Sequence, residues 1–270
     1  MTPRFPPPDF ERVLLHLEAD GPQAALLETA ARLARALEIA LVGLYVEDAD
    51  LVAFADLPIA RQVTRAAADI AGLNQGALAR HFENEQARLR RDLTRAAAQE
   101  QVRHEFLLRR GRPYLEVGRA AMPRDILVVG TRRPVPLTGP AGLLASAAEA
   151  LLLVPERPRA GSGPVAVAVP DGDPLERLVA LAARIAWRQN CVLSLPAGNG
   201  GGRRARLRNL AGALPEETAR LVAAALDSPP PAFGAPAPAL LVADARAAEA
   251  EARKWMAAGV PVLVVKPGED

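Results

Sequence analysis

The side chains of this sequence that could do chemistry are few and scattered. Three histidines occur, His16, His81 and His104, with a single cysteine, Cys191. No pair of them stands at metal-ligand spacing, so no metal site is expected. Ser146, Ser162, Ser194 and Ser228 lack the Gly-x-Ser-x-Gly setting of a nucleophile elbow. No acid, base and nucleophile set assembles, and no catalytic residues are assigned. Two stretches suit phosphate by composition. Gly130 is followed by Arg132, Arg133 and Gly142. Glycines there would let backbone amides approach an anion, and the guanidiniums would hold one by side chain or form an exposed loop pair. Pro134, Pro136 and Pro140 remove backbone donors from the same stretch. Gly198 to Gly202 follows a second strand without the Lys-Ser or Lys-Thr of a P-loop and reads as a flexible loop. Arg203, Arg204, Arg206 and Arg208 then read as a solvated helix face, or as a basic cluster meeting an acidic partner. The best remaining polar pair is His16 with Glu18, at the end of the first strand, where open α/β folds bind ligands. His81 reads as solvated, His104 as exposed, and Cys191 as core.

The elements that must position these residues follow from periodicity. Glu11 to Leu17 predicts a buried strand. Gln23 to Leu37 predicts a helix, because Leu26, Leu27, Ala30, Leu33, Ala34 and Leu37 recur at spacings of three and four. Strands are predicted over Ala40 to Val46, Glu105 to Leu108, Asp125 to Val129 and Leu151 to Val154. Helices are predicted over Asn74 to Gln101, Tyr114 to Ala121 and Leu143 to Ala150. Asp48 to Asp69 mixes Leu51, Phe54 and Ile59 with Pro58, and reads as short helices or a lid. The near-continuous apolar character of Asp125 to Val129 marks a parallel strand covered on both faces. Pro155 to Pro164 reads as a linker.

Composition bounds the rest. The 270 residues are 50% hydrophobic and 24% charged with a net charge of +2, a globular balance with little electrostatic drive toward nucleic acid. No stretch reaches the roughly 20 apolar residues of a membrane span. The Pro-rich start, Met1 to Pro8, has no apolar signal core, and one lone cysteine gives no disulfide. A cytoplasmic location, with neither nucleic acid nor membrane as partner, is the resulting expectation.

The same unit runs twice. Val13 to Leu17, then Gly21-Pro22 and a helix containing Ala30-Ala31-Arg32-Leu33-Ala34, is matched by Val165 to Val169, Asp173-Pro174 and Ala182-Ala183-Arg184-Ile185-Ala186. Leu41 to Val46 answers to Cys191 to Leu195, and Asp125 to Gly130 to Ala239 to Asp244. Strands alternating with helices predict parallel sheets with helices on both faces.

In this order the pieces resemble the universal stress protein family in its tandem form, over roughly Glu11 to Lys266. The resemblance implies an α/β fold of two tandem Rossmann-like domains with mainly parallel five-stranded sheets. They are placed at residues 9–156 and 163–268, the second reduced. It further implies pairing of the two domains through Leu151 to Val154 and Val262 to Val265. Family members that bind ATP carry a glycine, two residues, a second glycine, nine residues, then glycine with serine or threonine. Here Gly130 matches the first, but Arg133 and Leu143 take the next two glycine positions. Gly142 falls one residue early, and Leu144 stands where the hydroxyl belongs. The acidic contact at the first strand falls on Glu18. In the second half the matching position is Pro170, beside Asp171, and Asp244-Ala245-Arg246 offers no glycine loop.

The resemblance with a degenerate loop implies a non-enzymatic stress-response protein that binds a partner protein or a small ligand in the first domain and needs no cofactor. The alternative is an ATP or AMP switch with Mg²⁺ and at most weak ATPase activity, its contacts at Glu18, Val46, Gly111, Gly130, Arg132, Arg133 and Gly142. A homodimer is compatible with either reading.

Overall fold

The computed structural model describes residues 10–18, 23–55, 61–63, 70–72, 75–131, 148–159, 163–168, 175–195, 201–227, 238–244 and 254–266. The first half runs β1 (Arg12–Leu17), α1 (Gln23–Leu37), β2 (Ala40–Asp48), α2 (Ala49–Ala55), β3 (Arg61–Val63) and β4 (Ile70–Gly72). It continues with α3 (Gln75–Glu100), β5 (His104–Gly111), α4 (Pro113–Ala120), β6 (Asp125–Thr131) and β7 (Ala150–Pro155). The second half runs β8 (Val165–Ala168), α5 (Leu175–Arg188), β9 (Leu193–Ser194), α6 (Gly201–Ala213), α7 (Glu216–Asp227), β10 (Leu240–Asp244) and β11 (Val262–Val265).

Nine strands form one sheet in the order β5-β2-β1-β6-β7-β11-β10-β8-β9, and β3 pairs β4 in a separate antiparallel ribbon. Within the large sheet all pairs are parallel except β7 with β11, which run antiparallel with Leu152 opposite Leu263. The α/β class expected from the alternating pattern is therefore observed, as one continuous sheet. Five strands of the first half join four of the second at this seam.

Alternation along the strands divides the core between two faces. Val13, Leu15, Leu41 and Val128 pack with α1, α3 and α5 on one side. Leu14, Val42, Leu44 and Leu127 pack with Val117 and Ala120 of α4 on the other. Every apolar position predicted for α1 is buried. Three helices stop in the same way. Glu38, Gln101 and Asn190, with φ of +60°, +56° and +53°, end α1, α3 and α5 in the left-handed conformation. The next residue's amide then reaches back to the last turn, as Ile39 N donates to Ala34 O at 3.1 Å and Cys191 N to Ala186 O at 2.8 Å. Helices α1 and α5 lie against each other. Arg184 of α5 donates to the Leu37 carbonyl at 2.8 Å, completing an open end of α1, and Arg188 pairs with Glu38.

Several sequence expectations shift. The expected loop at Gly198 to Gly202 gives way to α6 from Gly201 onward. Glycine costs little in a first helical turn, whose amides lack intrahelical partners anyway. Leu207 is buried, and Arg206 bonds Glu176 of α5 at 2.7 Å, so tertiary contacts hold the helix. The strand expected over Cys191 to Leu195 shrinks to Leu193–Ser194, leaving Cys191 half-buried just before it rather than in mid-strand. Ala150, expected to end a helix, opens β7, while residues 143–147 lie outside the described part.

Candidate functional site

The chain order fixes where a crevice must form. From β1 the chain moves outward through β2 to β5, then returns to place β6 on the other side of β1. Connections leaving β1 and β6 therefore diverge to opposite sides, and the gap lies at their carboxyl ends. The strand lengths deepen it. Pairing of β1 with β2 ends at Leu17–Tyr45, whereas β2 continues to Asp48 alongside β5. On the other side β6 runs on to Thr131 alongside β7. Continuing the β1–β6 register from Leu15–Val128 sets Gly130 level with Leu17.

Glu18, Val46 and Gly130 thus surround the end of β1. Glu18 is exposed just past Leu17, and Val46 is buried as the first residue of β2 beyond its pairing with β1. Gly130 has an ordinary negative-φ strand backbone, and a Cβ there would meet only Leu26 side-chain atoms at 3.5 Å. Neither strain nor packing calls for glycine at this position. Arg132, Arg133 and Gly142 lie outside the described residues, as do Pro170, Asp171, Ala245 and Arg246 in the second half. Asp244 closes β10 opposite Val265.

His16 sits one residue before the end of β1, on the face opposite Leu15 and Leu17. Its Nδ1 lies 3.6 Å from Glu18 Oε1, so the pair named from sequence is in contact. Burial pushes the imidazole down to about 4, which keeps it neutral at ordinary pH. On the other face, Gln23 opens α1. Its Nε2 donates to the Glu18 carbonyl at 2.6 Å, while its Oε1 is buried without a hydrogen-bond partner among the described residues. Leaving a buried amide oxygen unpaired costs about 1–3 kcal/mol. Sequence reasoning missed Gln23, because residue type alone does not reveal a missing partner. Nearby, the Tyr45 hydroxyl is pushed up to about 12 by burial and by the Glu85 and Glu47 carboxylates.

Gly111 plays a different part. Its φ is +157°, and a Cβ would sit 2.8 Å from Glu116 Cγ, so the close approach of α4 explains the glycine without a ligand. Gly111→Ala is expected to cost about 1–3 kcal/mol, read as a lower urea midpoint. An unchanged midpoint would show that α4 shifts freely. The arginines flanking Gly111 are ion-paired. Arg109 faces Glu116 at 3.6 Å, Arg110 bonds Glu47 at 2.9 Å and Arg112 bonds Asp50 at 3.0 Å.

The other candidates stay apart from this crevice. His81 is exposed on α3, and His104 opens β5, its Nε2 3.2 Å from Thr94 Oγ1. Leu51 is exposed on α2 and Val52 packs on the core, whereas residues 56–60 lie outside the described part. Among the described residues no three His, Cys, Asp or Glu side chains cluster to hold a metal ion. Among them no helix is long and apolar enough to cross a membrane.

A universal stress protein from Archaeoglobus fulgidus is similar in fold, with a TM-score of 0.59 at 12% identity over 96% of this chain and 97% of that one. The chain has a universal-stress-protein-like fold. A functionally unknown protein from Pseudomonas aeruginosa PAO1 is also similar, with a TM-score of 0.50 at 14% identity, covering 96% of this chain and 93% of that chain. No protein-family model and no curated protein matches the sequence. At these identities the likeness speaks for the universal-stress-like fold, and the crevice residues must be argued on their own chemistry.

Proposed function

We propose that this chain is a non-enzymatic regulatory protein of universal-stress type, composed of two tandem domains and acting in the cytoplasm during stress or altered metabolism. It works by holding a small ligand, or the contact residue of a partner protein, at the carboxyl ends of β1, β2 and β6. The observation that carries this reading is the unpartnered, buried Gln23 Oε1 beside the end of β1. A site that buries an acceptor without a partner is stabilised by a ligand that brings a donor. Neutral His16 adds a group that donates from one ring nitrogen and accepts at the other. These are groups for recognition. Among the described residues, Arg109 and Arg110 at the end of β5 and Arg112 just after it are engaged by Glu116, Glu47 and Asp50, which supports a ligand that does not depend on them for phosphate charge.

Gly130 favours a second reading, an ATP or AMP switch with Mg²⁺ and weak ATPase activity at most. A glycine required by neither backbone nor packing leaves room for close approach of a phosphate. Calorimetric titration with ATP and AMP, with and without Mg²⁺, separates the two. Gly130→Ala is expected to fold and melt like the parent, whereas Gly130→Glu fills the approach with a negative charge. No heat at millimolar nucleotide is the expected result. Micromolar binding retained by Gly130→Ala and lost in Gly130→Glu would overturn the first reading and establish the switch.

A further inference from the structure

The outer margin of the first half is a strand of 8 residues. β5 stands last in the sheet order and is paired on one side only, with β2. Leu41 N donates to the Arg103 carbonyl at 2.9 Å, which sets the phase of that ladder. Odd-numbered residues of β5 therefore bond β2, and the amides and carbonyls of His104, Phe106, Leu108 and Arg110 point outward.

The side chains along this margin alternate between two faces. Leu107 is half-buried on the face of Val42 and Leu44, with Glu105 and Arg109 on either side of it. Phe106 is half-buried on the other face, and Leu108 beside it is 44% exposed. Beyond a long-range attraction to Arg12, exposed Glu105 makes no hydrogen bond or ion pair among the described residues. Arg109 is held loosely, 3.6 Å from Glu116, whose other oxygen takes Arg119 at 2.7 Å.

This strand is complementary to itself. Laid antiparallel to its own copy about Leu107, it sets His104 opposite Arg110 and Phe106 opposite Leu108. Outward backbone groups then meet outward backbone groups, as an antiparallel ladder requires. On one face Glu105 lies opposite Arg109 of the second copy and Leu107 opposite Leu107. On the other, Phe106 covers exposed Leu108. The neighbouring registers set Leu107 against Glu105 or against Arg109.

We propose that the chain forms a two-fold homodimer by antiparallel pairing of β5 with β5 of a second copy, in the register centred on Leu107. α3 and α4, which pack against β5, then come alongside their counterparts. The charges that bar indiscriminate stacking admit this one register, and a two-fold pair uses up both β5 margins, so assembly stops at two. The margin lies two strands out from β1, so pairing does not depend on what the crevice holds.

The test is sedimentation of the full chain over a concentration series, where a reversible monomer–dimer equilibrium is expected. Glu105→Arg and Arg109→Glu, each alone, set like charges opposite one another at two places, and each is expected to weaken association about ten-fold or more. Mixed in equal amounts, the two variants bring opposite charges together again, so the mixture is expected to associate as the parent does. Only pairing between copies produces that rescue. Amide exchange on the parent gives a check without any substitution: Phe106 and Leu108 are expected to slow as concentration rises, and Leu107, already bonded to β2, to stay unchanged. A parent that stays monomeric at millimolar concentration, Phe106 and Leu108 exchange that ignores concentration, or a dimer that both single variants leave intact would each overturn the proposal.

Discussion

Asp125→Ala is expected to destabilise the chain by about 3–5 kcal/mol. Asp125 is 1% exposed at the start of β6, opposite Arg12 at the start of β1. Its Oδ1 accepts from Arg12 Nε at 2.7 Å, and its Oδ2 accepts from Arg12 Nη2 at 2.9 Å and from Met122 N at 2.8 Å. Arg12 Nη2 also donates to the Ala120 carbonyl at 2.7 Å, tying β1, α4 and β6 together at one point. The carboxylate raises the Arg12 pKa, which locks in the charge. Removing it strands a half-buried guanidinium and an amide at once. Truncating both partners is expected to cost less than removing the aspartate alone. Urea unfolding of Asp125→Ala, Arg12→Met and the pair measures this. An Asp125→Ala loss below about 1 kcal/mol would show that water replaces the carboxylate.

Acid is expected to remove about 3 kcal/mol of stability through His16 alone. The imidazole binds a proton near 6.5 when unfolded and only near 4 when folded. Between those values the unfolded chain takes up a proton that the folded chain refuses, so stability rises with pH. The contribution is fully present above 6.5 and gone below 4. Exposed Glu18 attracts the charged form from 3.6 Å and trims the effect without reversing it. His16→Gln is expected to flatten the stability–pH slope in this window. Parallel slopes for parent and variant would mean that water reaches the ring.

The placement of His16 beside Glu18 and the charge it carries differ in how far the sequence reveals them. His16 and Glu18 could be placed together because strand β1 is strongly apolar and its end is unambiguous. The protonation state could not, since burial depends on the elements packed over the ring. The α1 boundaries were legible residue by residue, because six apolar positions fit one helical face and Gln23 begins the pattern. The ribbon of β3 and β4 was not, because Arg61-Gln62-Val63 and Ile70-Ala71-Gly72 are too short to show alternation. α6 was hidden by its glycines.

The seam of β7 and β11 also bears on how this chain keeps to itself. An open parallel sheet ends in unpaired strands that can template further chains. By turning the second half around and joining it at β7, the molecule covers the all-buried strands Ala150–Pro155 and Val262–Val265 with each other. What remains at the margins is poor material for growth. β5 carries His104, Glu105, Arg109 and Arg110 on exposed positions, and β9 is two residues long. A protein that is half hydrophobic thereby presents one charged border and one very short one, and resists the fibrillar stacking its apolar strands would otherwise invite.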